Sequence, residues 1–414
     1  MINYKRTKLS CYFSYLSMAS IFSLPPLLFN TFHDMYGVSY TLLGTLVAVN
    51  FCTQLTIDLI FTFFTKYFNI KKTVTAMPLI TSAGMLIYAL VPWLAPEYAY
   101  IGLIIGTIIF SVSAGLSEVL LSPVVAAIPS DTPDKDMSLL HSLYAYGVLT
   151  VVIISTAFLK IFGTEYWMYL TLFWAALPII AFVMFCTSPM PDVNVTNPPG
   201  GKNAGKKNLI MSLCVLCIFF GSAAENSMTN WISSYIETTL MIPKAVGDIL
   251  GMAAFAVCLG LTRTWYAKKG KNIYKVLFLG MAGAVICYLT AGLSPLPALS
   301  LIACILTGIC TAMLWPGSLI LMEEKLPHVG VAAYALMAAG GDFGASIAPQ
   351  MLGIVVDKVA ESGFAAELSK TLMITTEQIG MKAGMLVAAV FPLIGVAVLL
   401  VIGKFLKTQK TPDA

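Results

Sequence analysis

Long apolar segments recur throughout this chain of 414 residues. Each is about 20 residues long, the length that a helix needs to cross the roughly 30 Å hydrocarbon core of a bilayer. Hydrophobic residues make up 58% of the sequence and charged residues 11%, with a mean hydropathy of +0.85, so polar side chains are too few to cover a water-soluble globule. The sequence therefore predicts an all-α polytopic membrane protein.

Twelve such segments predict twelve transmembrane helices in two six-helix halves. The predicted spans cover residues 9–32, 41–64, 73–93, 98–128, 138–162, 165–187, 208–235, 245–265, 273–293, 299–322, 331–358 and 380–405. Between the sixth and seventh, the composition changes abruptly to Pro, Asn, Gly and Lys, which is typical of a flexible connector. We expect an N-terminal half over residues 1–188, a cytoplasmic linker over 189–207 and a C-terminal half over 208–414.

The basic residues indicate how the spans are oriented. If the N-terminus is inside, 19 of the 24 Lys and Arg residues fall in inner segments. Cytoplasmic loops carry such an excess of positive charge. We therefore expect a multi-pass protein of the inner cell membrane with both termini in the cytoplasm. The net charge of +4 reflects this topology and gives no indication of nucleic-acid binding.

Three carboxylates, Glu118, Glu225 and Asp342, lie deep inside predicted spans. An ionised group in the hydrocarbon core is costly unless it faces a cavity or a partner, so such residues are candidates for function. Asp342 has no evident basic partner at its depth, and is either a second proton-coupling residue or a neutral hydrogen-bonding acid. No Lys or Arg lies at the depth of the membrane centre, which disfavours a carrier of organic anions.

Glu118 lies on a helical face of small and polar residues, which it shares with Ser111, Gly115 and Ser122. Such a face can line a cavity, and a carboxyl group that faces a cavity can take up and release a proton. We therefore interpret Glu118 as the proton-coupling residue. The plain alternative is a structural hydrogen bond to a neighbouring helix, for which small-residue faces are also used.

Carboxylate, amide and aromatic side chains in both halves could bind a hydroxylated solute, because they accept and donate several hydrogen bonds. The candidate solute-binding residues at this stage are Asn50, Gln54, Glu118, Glu225, Asn226, Asn230 and Trp315. Trp231 is either a second aromatic surface for a sugar ring or an anchor at the membrane interface. For Trp315, solute stacking and core packing both remain open.

Asn50, Gln54 and Asp58 form a polar stripe with a spacing of four residues. Asp58 lies past the membrane centre but short of the basic loop, so we interpret it as a gating residue on the cytoplasmic side, together with Arg263 near the inner end of span eight. A polar face exposed to water near the inner surface is the alternative. Clusters that could bind a metal or a cofactor are not evident.

The two halves show weak internal similarity. Gly44 precedes the tetrapeptide N-I-K-K by 25 residues, and Gly247 precedes N-I-Y-K by the same distance. Six spans, a basic linker and six more spans with matching landmarks resemble the major facilitator superfamily, in which two parallel repeats enclose a central site. The superfamily marks the loop after span two with an acid and a glycine, and residues 65–72 have lost both.

A narrower resemblance lies in span four, where residues 118–125 read E-V-L-L-S-P-V-V. This is similar to the motif E-x-x-x-N-P-x-V of the fucose permease group of fucose/galactose/H+ symporters. Residues 313–319, M-L-W-P-G-S-L, are similar to that group's span ten. The resemblance implies that Glu118 binds both sugar and proton, and that His141 and Tyr144 contact the solute where the group has amides. Unlike the fucose permease, this chain has no acid in its first span.

These observations predict a secondary active transporter that takes up a sugar or related polyol with protons by alternating access. A proton-driven exporter of drugs or other small organic solutes is the alternative. An enzyme is not expected, because neither a nucleophile with its base nor paired His ligands are evident. The expected partners are a small solute, protons and the lipid bilayer, and we expect a monomer without cofactors.

Overall fold

The computed structural model describes residues 4–64, 67–131, 133–191, 204–326 and 331–408, with the backbone alone for some residues inside these ranges. Most of these residues are helical, and none of them lies in a β-strand. The predicted all-α fold is therefore confirmed.

The helices of the N-terminal part are joined by short connections, two of which, Pro96–Tyr98 and Thr164–Tyr166, are single 3₁₀ turns. The helices are α1 (Lys5–Leu27), α2 (Phe29–Tyr36), α3 (Tyr40–Phe64), α4 (Ile70–Leu94), α5 (Ala99–Ala126), α6 (Pro133–Phe162) and α7 (Trp167–Cys186).

The C-terminal part begins with the longest helix and contains a π-helical turn, Asp248–Ala253, between its second and third helices. The helices are α8 (Ala204–Leu240), α9 (Lys244–Gly247), α10 (Ala254–Lys269), α11 (Ile273–Leu293), α12 (Pro297–Thr311), α13 (Leu314–Lys325), α14 (Val331–Ala360), α15 (Gly363–Leu372), α16 (Thr376–Ala388) and α17 (Val390–Thr408).

Within the described ranges, nine helical segments are long and apolar enough to cross a membrane, and the bent pair α1 and α2 would be a tenth. The two remaining predicted spans correspond to α6 and α14, which are helices of 30 residues each. Among the described residues of α6, Tyr146–Phe162 forms an apolar stretch that is shorter than a full span. The helices agree with the predicted twelve-span architecture.

Four predicted spans are not single uninterrupted α-helices, and one of them is the eighth, which consists of α9, the π-helical turn and α10. The first bends by 49° between α1 and α2, because Pro25 and Pro26 lack the N–H groups that would continue the helical ladder. Span ten breaks between α12 and α13. Pro316 is the third residue of α13 and lies four residues after Ala312. The twelfth consists of α16 and α17, and α15 is a helix in the preceding loop that the sequence analysis did not predict.

The Asn residues of the repeated N-I-K-K and N-I-Y-K tetrapeptides each cap the start of a helix. Asn69 caps the N-terminus of α4, where its side-chain oxygen accepts a hydrogen bond from the Lys72 N–H at 3.0 Å. Asn272 caps α11 in the same way, with the Lys275 N–H at 3.2 Å. Such caps satisfy N–H groups that the first helical turn leaves unpaired. The repeated Asn therefore starts an equivalent helix in each part of the chain.

The chain divides into two compact units. The first comprises Met1–Thr196 with Lys244–Ile249, and the second comprises Asn197–Pro243 with Leu250–Ala414. Residues 192–203, on which most of the predicted linker falls, lie outside the described ranges, and the predicted domain boundaries stay a prediction.

Close helix packing holds each unit together. A Cβ atom on Gly84 of α4 would lie 2.5 Å from the Phe110 backbone nitrogen of α5. In the second unit, a Cβ atom on Gly344 of α14 would lie 2.2 Å from the Phe219 carbonyl oxygen of α8. Small residues let helix backbones approach in this way. The second of these contacts brings α14, which carries Asp342, onto the polar helix α8.

Candidate functional site

The first unit contains a buried, uncharged hydrogen-bond network between α3 and α5. The Asn50 side-chain oxygen accepts a hydrogen bond from Gln54 Nε2 at 3.1 Å and lies 2.6 Å from the Ser111 hydroxyl. Asn50 and Gln54 are both buried. Two predicted solute-binding residues are thus brought together, and part of their hydrogen-bonding capacity is used within the protein.

Gly115 sets the distance between these helices. A Cβ atom at this position would lie 3.0 Å from Ile57 Cβ and 3.2 Å from Gln54 Cα, which is tighter than ordinary side-chain packing. The predicted small-residue face of α5 therefore packs against α3. Ser111 and Gly115 both take part, while the side chain of Ser122 lies outside the described part of the structure.

Glu118 lies one helical turn beyond Gly115 and is half-buried. Its carboxylate forms no hydrogen bond or ion pair with another residue among those that the structure describes. The structural hydrogen bond considered as the alternative for Glu118 is therefore not formed within these ranges. A carboxyl group in this position can exchange a proton or bind a solute hydroxyl without first losing a protein partner.

The other candidates of the first unit are described to different degrees. Tyr144 is half-buried, and its ring packs edge-to-face on Phe22 with the centroids 5.8 Å apart. The side chain of His141 lies outside the described part of the structure. Asp58 is 4% exposed, so it is buried and not part of a water-exposed surface.

In the second unit, Glu225 forms an ion pair with Arg263. Arg263 Nη2 lies 3.1 Å from Glu225 Oε1 and 3.3 Å from Oε2, and the two side chains are 35% and 18% exposed. The sequence analysis placed Arg263 near the inner end of span eight and did not pair it with Glu225. The long side chain of Arg263 reaches back to the middle of α8, and depth estimates made from the backbone do not include that reach.

Arg263 makes a second contact at the break in span ten. Its Nε donates a hydrogen bond of 2.8 Å to the carbonyl oxygen of Ala312, which lies between α12 and α13. In a continuous helix this carbonyl would accept the N–H of residue 316, but residue 316 is a proline and has none. Arg263 therefore contacts α8 and the span-ten break at once.

The amides of α8 are oriented by their own helix. Asn226 Nδ2 donates to the Ser222 carbonyl oxygen at 3.1 Å, and Asn230 Nδ2 donates to the Asn226 carbonyl oxygen at 2.9 Å. These hydrogen bonds orient the two amides, and their side-chain oxygens can act as acceptors. Half-buried Asn226 and half-buried Glu225 lie next to each other on this helix.

Two tryptophans differ sharply in environment. Trp315 is half-buried, and its ring packs on Gly341 of α14, where a Cβ atom would lie 2.2 Å from a ring carbon. It therefore packs against the protein on one side without being fully enclosed. Trp231 is fully buried and donates from Nε1 to the Pro349 carbonyl oxygen at 3.1 Å. It is a core residue, which contradicts both interpretations given for it from the sequence.

Asp342 is 3% exposed on α14, and its burial agrees with an acid deep inside a span. The sequence analysis missed a further buried acid, Asp248, in the first unit. Its Oδ2 lies 3.4 Å from the Thr156 hydroxyl and 3.7 Å from Lys244 Nζ. The spacing of four residues between Lys244 and Asp248 could have indicated this pair.

The chain is similar to known proteins in sequence family and in fold. A family model described as Major Facilitator Superfamily matches residues 9–349. No curated protein matches the chain by sequence. The fold is similar to that of a bacterial homologue of the human lysosomal transporter Spinster, solved in an inward-facing and unoccupied conformation. The identity is 12%, 99% of each chain is covered, and the TM-score is 0.75.

Two sugar transporters are also similar in structure. A D-xylose-proton symporter shares 14% identity over 94% of this chain and 97% of that chain, with a TM-score of 0.72. The fucose:proton symporter of E. coli shares 13% identity over 97% of this chain and 98% of that chain, with a TM-score of 0.60. Likeness at such identities extends to the fold alone. The narrower resemblance to the fucose permease group is therefore a distant one.

Proposed function

Because the chain belongs to the major facilitator superfamily, we propose that it takes up a sugar or related polyol together with protons by alternating access. Membership of that superfamily makes the chain a membrane-spanning transporter and not an enzyme, as the sequence predicted. The solute, the coupling to protons and the direction of transport are the parts that we propose.

The observation that carries the coupling is the state of Glu118. This acid is half-buried in a membrane-spanning helix and has no hydrogen-bond or ion-pair partner within the described ranges. It lies on the same face of α5 as Gly115 and Ser111, next to the amide network of Asn50 and Gln54. A proton can bind to Glu118 without displacing a cation, which suits a group that must be loaded and unloaded in every cycle. Asp342 is the second proposed proton carrier.

A hydroxylated solute fits the polar groups of α8. The side chains of Asn226 and Asn230 donate hydrogen bonds to backbone carbonyl groups of α8. Their side-chain oxygens can accept hydrogen bonds from solute hydroxyl groups. Glu225 adds a carboxylate, and its ion pair with Arg263 keeps this region close to neutral. An uncharged polyol satisfies such acceptors, whereas an apolar drug would leave them unpaired at a cost in free energy. Asn50, Gln54, His141, Tyr144 and Trp315 complete the proposed set of contacts.

The remaining proposals concern the setting of the transporter. The distribution of Lys and Arg favours an inner-membrane protein with both termini in the cytoplasm. We propose that it acts as a monomer, with Asp58 and Arg263 as gating residues.

A solute panel tests the proposed function. Purified protein is heated with pentoses, hexoses, hexitols, nucleosides, amino acids or lipophilic cations, and a bound solute raises the unfolding temperature by an amount that grows with the ratio of its concentration to its dissociation constant. We expect sugars or hexitols to stabilise the protein. In proteoliposomes with an entrapped pH dye, the same compounds should carry protons inward and acidify the lumen. Stabilisation by lipophilic cations alone, with proton movement opposite to the solute, would instead favour the exporter.

A further inference from the structure

The break in span ten creates an unpaired backbone carbonyl. Helix α12 ends at Thr311 and α13 begins at Leu314, so Ala312 lies between the two helices. Its oxygen has no backbone donor four residues on, because position 316 is Pro316. The ladder resumes one residue later, where the Gly317 N–H donates to the Met313 carbonyl oxygen at 2.8 Å. One carbonyl in the middle of a membrane helix thus needs a partner from elsewhere.

Arg263 supplies that partner. Its Nε–H donates to the Ala312 oxygen at 2.8 Å, while Nη2 of the same planar guanidinium donates to both oxygens of Glu225. The guanidinium has donors on several edges in a rigid geometry, so it can bond to two helices in fixed directions. A lysine ammonium could not reproduce that fork.

Helix α8 comes close to the break on the same side. Gly221 lies one turn before Glu225, and a Cβ atom on Gly221 would lie 2.8 Å from Leu314 Cβ, at the first residue of α13. The break, Arg263 and the polar stretch of α8 therefore form one contiguous cluster within the second unit. The guanidinium that donates to Ala312 is therefore also held by Glu225.

We propose that Arg263 is a positioning residue that holds the span-ten break in a defined geometry and links it to the polar face of α8. The guanidinium takes the place of the N–H that Pro316 lacks, and its bond to Glu225 makes the stability of the break depend on the state of that carboxylate. This role is independent of which solute is carried. It differs from simple neutralisation of Glu225, in which Ala312 and Pro316 would have no part.

Neutral variants separate the two roles. In Glu225→Gln/Arg263→Gln no unpaired charge remains, yet the Ala312 carbonyl has lost its donor. Hydrogen–deuterium exchange of the full-length protein in detergent, without solute, should then be up to about tenfold faster in peptides covering residues 309–320 than in Glu225→Gln alone. One net hydrogen bond contributes on the order of 1 kcal/mol, and a tenfold change corresponds to about 1.4 kcal/mol.

Restoring the missing N–H provides the decisive variant. Adding Pro316→Ala gives residue 316 an N–H that can bond to Ala312, so exchange in residues 309–320 should return to the level of Glu225→Gln. The matched control adds Pro178→Ala, a proline substitution inside α7 of the first unit, and should not rescue. Glu225→Gln alone should show a smaller increase over the unaltered protein, which tests the link to α8.

The proposal is overturned if exchange in residues 309–320 is the same in Glu225→Gln/Arg263→Gln as in Glu225→Gln. It is also overturned if Pro178→Ala restores protection as well as Pro316→Ala does. Since no solute enters the experiment, its outcome does not depend on whether the protein transports a sugar.

Discussion

In the first unit, the Glu118 carboxylate bonds to no other residue that the structure describes, whereas in the second unit both oxygens of Glu225 accept hydrogen bonds from Arg263. Both acids are half-buried within membrane-spanning helices. A proton can therefore bind to Glu118 without breaking a contact, but protonation of Glu225 would deprive Arg263 of its counter-charge. This difference supports our proposal that Glu118, rather than Glu225, is the proton carrier, and it gives Glu225 a contact with Arg263 that contributes to structure.

The residues around Glu118 and Glu225 also differ in charge. Near Glu118, the described amides of Asn50 and Gln54 are uncharged and bond to each other at 3.1 Å. Beside Glu225 the partner is a cation that also holds a backbone carbonyl. Substitution of Glu118 should therefore affect mainly transport, whereas substitution of Arg263 should affect mainly stability.

The largest effect should follow from Arg263→Gln. It leaves the Glu225 charge unpaired and the Ala312 carbonyl without a donor, and we expect the free energy of unfolding to fall by about 2 kcal/mol or more. The pair is partly exposed, so solvent screening keeps the loss below that of a fully enclosed pair. Adding Glu225→Gln should recover the part of the loss that comes from the unpaired charge, but not the part that comes from the missing donor to Ala312. Chemical denaturation in mixed micelles measures both variants.

Lys358→Gln is the control for this experiment. Lys358 forms an ion pair with Glu361, but the two side chains are 76% and 71% exposed. Such surface pairs contribute little to stability. If Arg263→Gln proved as stable as Lys358→Gln, the contrast between the two acids would fail.

Glu118→Gln should have little effect on folding, because no partner is lost. We expect it to abolish accumulation of solute driven by a pH gradient in proteoliposomes, while counterflow exchange across the membrane persists. Glu97→Gln, at an exposed position of the first unit, is the control and should transport normally. Accumulation against the gradient in Glu118→Gln would remove it from the coupling mechanism.

The sequence predicted the fold well, because apolar length and basic loops are local properties. It also contained the positions of two helix breaks, since Pro25 with Pro26 and Pro316 each remove a backbone donor. It could not identify the donor that replaces the one missing at Pro316, because Arg263 lies 49 residues from Ala312 in the chain. Depth estimates from helical rise refer to the backbone, and the reach of an arginine side chain was not included in them.

A third test concerns solute contacts in the second unit. Asn226→Ala and Trp315→Ala should each weaken binding of a stabilising sugar or hexitol by about 1–3 kcal/mol, because solute hydroxyls or ring atoms lose their partner. Only Trp315→Ala should also lower stability, since its ring packs on Gly341. Isothermal titration measures the affinities.

Thr264→Ala is the matched control, because this exposed side chain of α10 bonds only to the Gly260 carbonyl oxygen of its own helix. Its affinity for the same compound should be unchanged. Wild-type affinity in the combined Asn226→Ala/Trp315→Ala variant would move the solute site away from α8 and α13.

The smallest effect should come from Asp58→Asn, which tests whether a second acid of the first unit takes part in the transport cycle. Asp58 is buried on α3, two turns beyond Asn50, and a carboxylate about 17 residues into a span lies about 26 Å from its start, past the membrane centre. A gating contact at that depth changes the equilibrium between states more than the affinity of either state. We expect Asp58→Asn to favour the inward-open state and to speed the labelling of cytoplasmic reporter cysteines several-fold, in a background without the exposed Cys52 and Cys186. Solute affinity should change little, since Asp58 is not among the proposed solute contacts. If labelling is unchanged on both sides of the membrane, Asp58 is a structural acid, and Glu118 is then the one acid of the first unit that keeps a proposed role in the transport cycle.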